Sequence, residues 1–146
     1  MLSSRNIITN YRFQPVGKAI RVPGSLLVRF QANANYVETE HGWVYAWVLT
    51  DVSGLFQISY IGMAGKTVMR RQEQHHGGFK GGSKKGVWNN DAIASHIDAA
   101  AGNEVLLFAR KSDTMTILGE TICMVASEET AMIQKCISNG ISLWNS

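Results

Sequence analysis

Two apolar runs divided by a polar turn dominate the middle of the chain. Val44-Tyr45-Ala46-Trp47-Val48-Leu49-Thr50 is apolar on both alternating faces, and Leu55-Phe56-Gln57-Ile58-Ser59-Tyr60-Ile61-Gly62 is again rich in strand formers. Asp51-Val52-Ser53-Gly54 between them has turn composition, so the pattern predicts a β-hairpin. With the turn symmetric about the Val52-Ser53 bond, Tyr45 falls directly opposite Tyr60 on one face of the sheet. A turn one residue longer or shorter would separate the two phenols. After Gly65, Lys66 to His76 holds good helix formers and no proline, with Arg70/Gln74 and Arg71/His75 as i,i+4 pairs, and predicts a short basic helix. Asn89 or Asn90 is the expected cap of a second helix whose Ile93, Ile97, Ala100 and Ala101 form one stripe before Gly102. Glu104 to Arg110 reads as a strand, and residues 115 to 126 fit strand or helix equally. Ser127 is the expected N-cap of a last helix, Glu128 to Ser138. Upstream, residues 1 to 42 form a basic extension with Pro15 and Pro23, in which Leu26 to Phe30 alternates as a strand does.

Composition narrows the class. With 146 residues, 45% hydrophobic and 17% charged, and a formal charge of +3, the chain reads as one globular domain. Disorder and solenoid repeats are excluded, and no stretch approaches the ~18 apolar residues of a membrane span. No signal-peptide core follows Met1, so a cytoplasmic location and no membrane partner are expected. Cys123 and Cys136 lack the CxxC spacing of a zinc or redox site and read as core thiols.

The charge is unevenly placed. Lys66, Arg70, Arg71, Lys80, Lys84 and Lys85 face Glu73 alone between residues 60 and 90. Together with His75, His76 and the glycines from Gly77 to Gly86, they predict a flexible cationic loop suited to a polyanion, with nucleic acid as the natural partner.

Gly62-Met63-Ala64-Gly65-Lys66-Thr67 ends as a phosphate-binding P-loop ends, but the first glycine of that motif is here Tyr60, whose bulk would crowd a phosphate nest. The same residues fit another pattern. Val44-Tyr45, Tyr60-Ile61-Gly62, Arg70 ten residues past the second tyrosine, Glu129 with Met132-Ile133, and a terminal Asn145 occur in the order found in GIY-YIG nucleases. From about Gly42 to Asn145 the chain resembles that family, nearer its phage-encoded and restriction-type branches than its repair branch. It departs from the pattern in Trp43-Val44-Tyr45, which lacks the usual glycine and isoleucine, and in the fifteen-residue spacing of the tyrosines. The histidine or tyrosine often found four residues past the arginine is here Gln74, with His75 and His76 next to it.

The resemblance implies an α+β fold, a small central antiparallel sheet flanked by helices, with residues 1–42 as an extension for DNA grip or subunit contact and 43–146 as the nuclease domain. It implies a metal-dependent DNA endonuclease in which Glu129 is the sole protein ligand of Mg²⁺ (or Mn²⁺) and Arg70 braces the scissile phosphate. Tyr45, beside Tyr60, activates or positions the attacking water; because a phenol is mostly protonated at neutral pH, Lys66 or Arg70 must favour its phenolate or the tyrosine only orients water. His75 or His76 passes a proton or touches phosphate, while Arg71, Lys80, Lys84, Lys85 and Asn145 are expected to hold DNA. One site cuts one strand, so a double-strand break implies a homodimer or larger homo-oligomer. The rival readings are a catalytically idle nucleic-acid-binding module and a P-loop nucleotide enzyme.

Overall fold

A computed structural model describes residues 1–145, in the order α1 (Ser4–Asn10), β1 (Gln14–Arg21), β2 (Val28–Ala32), β3 (Trp43–Thr50), β4 (Phe56–Ala64), α2 (Val68–Gly77), α3 (Lys84–Ala99), β5 (Glu104–Lys111), β6 (Thr114–Ile117), β7 (Glu120–Cys123) and α4 (Val125–Ser138). Five strands form one antiparallel sheet in the order β2-β1-β5-β3-β4, and β6 and β7 form a separate hairpin. This is the expected α+β architecture. The run apolar on both faces becomes β3, which lies between β5 and β4 with Val44 to Val48 fully buried.

Each face of the sheet carries its own core. Tyr45, Trp47, Val105 and Leu107 pack with Val68, Phe79 and Ile93 from the α2–α3 side. Val44, Ala46, Val48, Ile58 and Ile61 pack with Ile7 and Ile8 of α1 and Met132 and Cys136 of α4. Ile58 and Ile61 share a face despite their odd spacing because β4 bulges at Ser59: Trp47 pairs with Tyr60, while Val48 pairs with Ile58.

The extension expected over residues 1–42 belongs to this sheet, since β1 pairs with both β2 and β5. The cationic loop is shorter than expected. After a turn at Gly78–Gly82, in which Gly81 has φ 117°, Ser83 caps α3 by accepting from the Gly86 N–H at 2.9 Å. Asn89 and Asn90 are therefore buried in the helix and cap nothing; Asn90 instead accepts from the Val28 N–H and donates to the Leu26 carbonyl, tying α3 to β2. Gly86 serves close packing, because a Cβ there would stand 2.5 Å from the Gly78 carbonyl carbon. Cys136 is a core thiol, whereas Cys123 is exposed at the end of β7. Among the described residues no helix is long and apolar enough to cross a membrane.

Candidate functional site

The two tyrosines do share a patch, by a route other than the expected one. Tyr45 pairs with Gly62 and Tyr60 with Trp47, so the phenols are diagonal neighbours. The connection from Thr50 to Phe56 holds five residues, which flips the parity of the symmetric turn, and the bulge at Ser59 flips it back. The rings stack at 6.2 Å with 16° between planes. Gly62 makes room for this arrangement: a Cβ there would lie 2.4 Å from both Cζ and Oη of Tyr45.

Helix α2 lies across this patch. Thr67 caps it through the Arg70 N–H, and Gln72 accepts from the Trp47 indole N–H at 3.0 Å. His75 Nε2 and the Tyr45 hydroxyl share a hydrogen bond of 2.5 Å, and the His75 ring stands edge-on to Tyr60 at 5.4 Å. Arg71 is one helical turn before His75 and therefore on the same face. Its guanidinium acts electrostatically on Tyr45, Tyr60, His75 and Glu129.

That grouping brings Arg71, rather than Arg70, beside the tyrosines and Glu129. Arg70, expected to brace the phosphate, is exposed and has no such influence on the tyrosines or on Glu129, because a step of one residue rotates a helical side chain by about 100°. Both arginines, with Gly65, Lys66, Thr67 and Gln74, line an open cavity of about 240 Å³. Lys66 is exposed at that cavity.

The histidines also separate. His76 is buried and its Nδ1 is bonded to the Val28 carbonyl of β2 at 2.9 Å, which makes it part of the scaffold. Asn145, expected at DNA, spends its amide on β4: it donates to the Ile61 carbonyl and accepts from the Ile61 N–H. Lys80, Lys84 and Lys85 are exposed around the start of α3, and none of them forms an ion pair among the described residues.

On α4, adjacent glutamates have different surroundings. Glu128 meets Arg110 at 3.1 Å and accepts from the Asp113 N–H, so it is a structural residue. Glu129 is half-buried and has no hydrogen-bond partner among the described residues. Burial holds its carboxyl above the ordinary range, with Arg71 opposing.

Burial sets the protonation of the other members too. It pushes the Tyr45 phenol well above its usual range, with Tyr60 adding to the shift and Arg71 opposing it, and it raises Tyr60 as well. Burial, reinforced by Arg71, lowers His75 to about 3. At neutral pH the cluster thus holds two protonated phenols and a neutral imidazole beside the Arg71 guanidinium and the Glu129 carboxyl group. Among the described residues no three His, Cys, Asp or Glu side chains gather as a metal cage.

The P-loop-like segment is already occupied. Glu38 accepts from the Val68 and Met69 N–H groups at 3.1 and 3.0 Å, filling the amides at the α2 N-terminus that a phosphate would use. Tyr36 donates to the same carboxylate at 2.5 Å. Nothing in the sequence singles out Glu38, since a lone glutamate thirty residues before the helix it caps gives no local signal.

Solved structures of similar fold include a mutant of bacteriophage T4 EndoII, with a TM-score of 0.63 and 17% identity over 92% of this chain and 95% of that one. Restriction endonuclease HPY188I in complex with product DNA gives a TM-score of 0.51 and 16% identity over 90% of this chain and 77% of that one. At such identities the likeness is one of fold. No family model and no curated protein matches the sequence.

Proposed function

We propose that the protein is a metal-dependent DNA endonuclease of the GIY-YIG type. The observation that carries this reading is that Tyr45, Tyr60, His75, Arg71 and Glu129, from two strands and two helices, meet in one electrostatic cluster. The two neighbours in fold, both named as endonucleases, one of them holding product DNA, support it. Taking Arg71 as the functional arginine also removes a departure from the family pattern: the residue four positions on is then His75 rather than Gln74.

Glu129 is the residue that would hold Mg²⁺ or Mn²⁺. A single unpaired carboxylate suits a hard cation that fills its remaining positions with water and phosphate oxygens. When bound, the ion supplies charge neutralisation at the phosphoryl oxygens and the leaving 3′ oxygen. Arg71 presents a planar fork of donors to the scissile phosphate. Tyr60, the partly exposed phenol of the pair, meets the attacking water, and Tyr45, fully buried, protonated and bonded to His75, fixes it from beneath. His75, kept neutral mainly by burial, is the hydrogen-bond partner that fixes the Tyr45 hydroxyl. Lys66 and Arg70 at the cavity mouth meet flanking phosphates.

A plasmid-nicking assay tests the proposal. The wild type is expected to nick DNA with Mg²⁺ and to stop in EDTA, and Glu129→Ala is expected to bind DNA without cutting it. Wild-type binding without cleavage would favour the idle module. Cleavage by Glu129→Ala at the wild-type rate would remove the assigned metal ligand.

A further inference from the structure

Trp88 is a large aromatic residue left 49% exposed on the second turn of α3. It is rigidly backed: its ring stands edge-on to Trp144 at 5.6 Å and 83°, and Trp144 in turn contacts Trp47 at 6.4 Å. Trp47 stacks on Tyr60 at 4.2 Å, so a continuous series of rings runs from the proposed site to the surface. The Trp144 backbone is fixed by its amide N–H, which donates to the Ser59 carbonyl at 2.7 Å. The Lys85 ammonium lies 4.2 Å from the Trp88 ring centroid, and the exposed Lys84 is its neighbour.

A supported, half-open indole next to cations that form no ion pair among the described residues is complementary to a planar π-system tethered to phosphate. Exposed cation–π contact is weaker than base–aromatic stacking, so an arriving base can displace Lys85 from the ring toward the phosphate backbone. We infer that Trp88 is a stacking platform for a nucleobase of the DNA substrate, one unpaired or unstacked near the scissile phosphate, with Lys84 and Lys85 on the adjoining phosphates. This rests on the proposed DNA substrate and adds a base contact to it.

The test measures DNA binding in EDTA, where cleavage is absent, with oligonucleotides carrying 2-aminopurine at successive positions. The wild type is expected to quench the probe at one or two positions. Trp88→Leu, which keeps apolar cover over Trp144, is expected to lose that quenching and weaken binding by about 5- to 100-fold. Its salt slope should stay unchanged, because no charge is removed. Trp88→Phe should restore most of the affinity, whereas Lys85→Ala should lower the salt slope by roughly 0.9. Thermal melting of each variant establishes that it is folded.

Wild-type affinity and quenching in Trp88→Leu, or no position-specific quenching by the wild type, overturns the inference. Cleavage in Mg²⁺ separates this from the parent reading. If the wild type cuts DNA but Trp88 variants bind normally, only the stacking role falls. Quenching through Trp88 without cleavage leaves the stacking role standing and removes the nuclease. A wild type that binds no DNA removes both.

Discussion

The choice between Arg70 and Arg71 is the sharpest statement available at the level of single residues. Only Arg71 shares the helix face of His75 and the field of Glu129. Loss of a comparable arginine in phosphoryl transfer costs about 10³–10⁵ in rate, so Arg71→Ala is expected to fall by that order while Arg70→Ala stays within about tenfold of wild type. Single-turnover cleavage at saturating DNA measures both; the reverse order would restore Arg70. Tyr45, Tyr60 and Glu129 could be picked out in the sequence as candidates because each has a distinctive neighbour or spacing. Which arginine and which histidine face inward could not be, because that depends on where α2 starts, and its start is set by Thr67 and the distant Glu38. His75 adds a pH signature. Its folded pKa, about 3, lies below the ordinary value of 6.5, so between those values the unfolded chain binds the extra proton and stability falls as pH falls. Between pH 6.5 and about pH 4 the loss is at most about 3 kcal/mol, since one bound proton changes stability by about 1.4 kcal/mol for each step of one in pH. Urea unfolding of His75→Gln should lack that component of the acid slope.

Among elements, the β3–β4 hairpin and α2 carry all of the candidate site except Glu129 of α4, and each depends on contacts far away in sequence. Strand β4 is an edge, and its outer backbone is covered at three points: the Ile58 N–H donates to Ser4 Oγ of α1, Trp144 donates to Ser59, and Asn145 brackets Ile61. Asn145 thus holds the YIG segment in place from outside. Helix α4, expected to start after a Ser127 cap, starts at Val125, with Met124 as N-cap and no side-chain cap bond. The hairpin and β5 were legible from alternation. Strand β1 and helix α1 were not: Pro15 and Gly17 oppose a strand reading, and the register shift between them is where β1 accommodates both. A Cβ at Gly17 would stand 2.1 Å from the Gln31 carbonyl oxygen, so the glycine permits the β1–β2 approach. For α2, Glu38 supplies a negative charge at the helix N-terminus together with two accepted hydrogen bonds. Glu38→Gln is therefore expected to lower stability by about 0.5–2 kcal/mol in urea unfolding, with no change in the DNA salt slope. Nucleoside triphosphates should not raise the melting temperature of the wild type, since the amides they would need are taken; a rise of several degrees would revive the P-loop reading.

For the whole molecule, the count of sites governs the product. Arg71 and Glu129 occur once per chain and gather one set of tyrosines, so on the proposed nuclease reading one chain would address one phosphodiester at a time. Opposite strands of a duplex run antiparallel, and a single site must let go and rebind in the opposite sense to cut both. Two chains related by a two-fold axis meet both strands at once, since that axis matches the symmetry of the duplex backbone. Supercoiled plasmid at limiting protein is accordingly expected to give nicked circles first, with linear DNA appearing in proportion to a higher power of protein concentration than the nicks do. Mixing wild type with excess Glu129→Ala separates the cases. If paired chains cut the two strands, the inactive partner should suppress linear product while nicking continues. If linear product instead falls only in step with the dilution of active chains, each chain works alone and the proposed homo-oligomer is wrong.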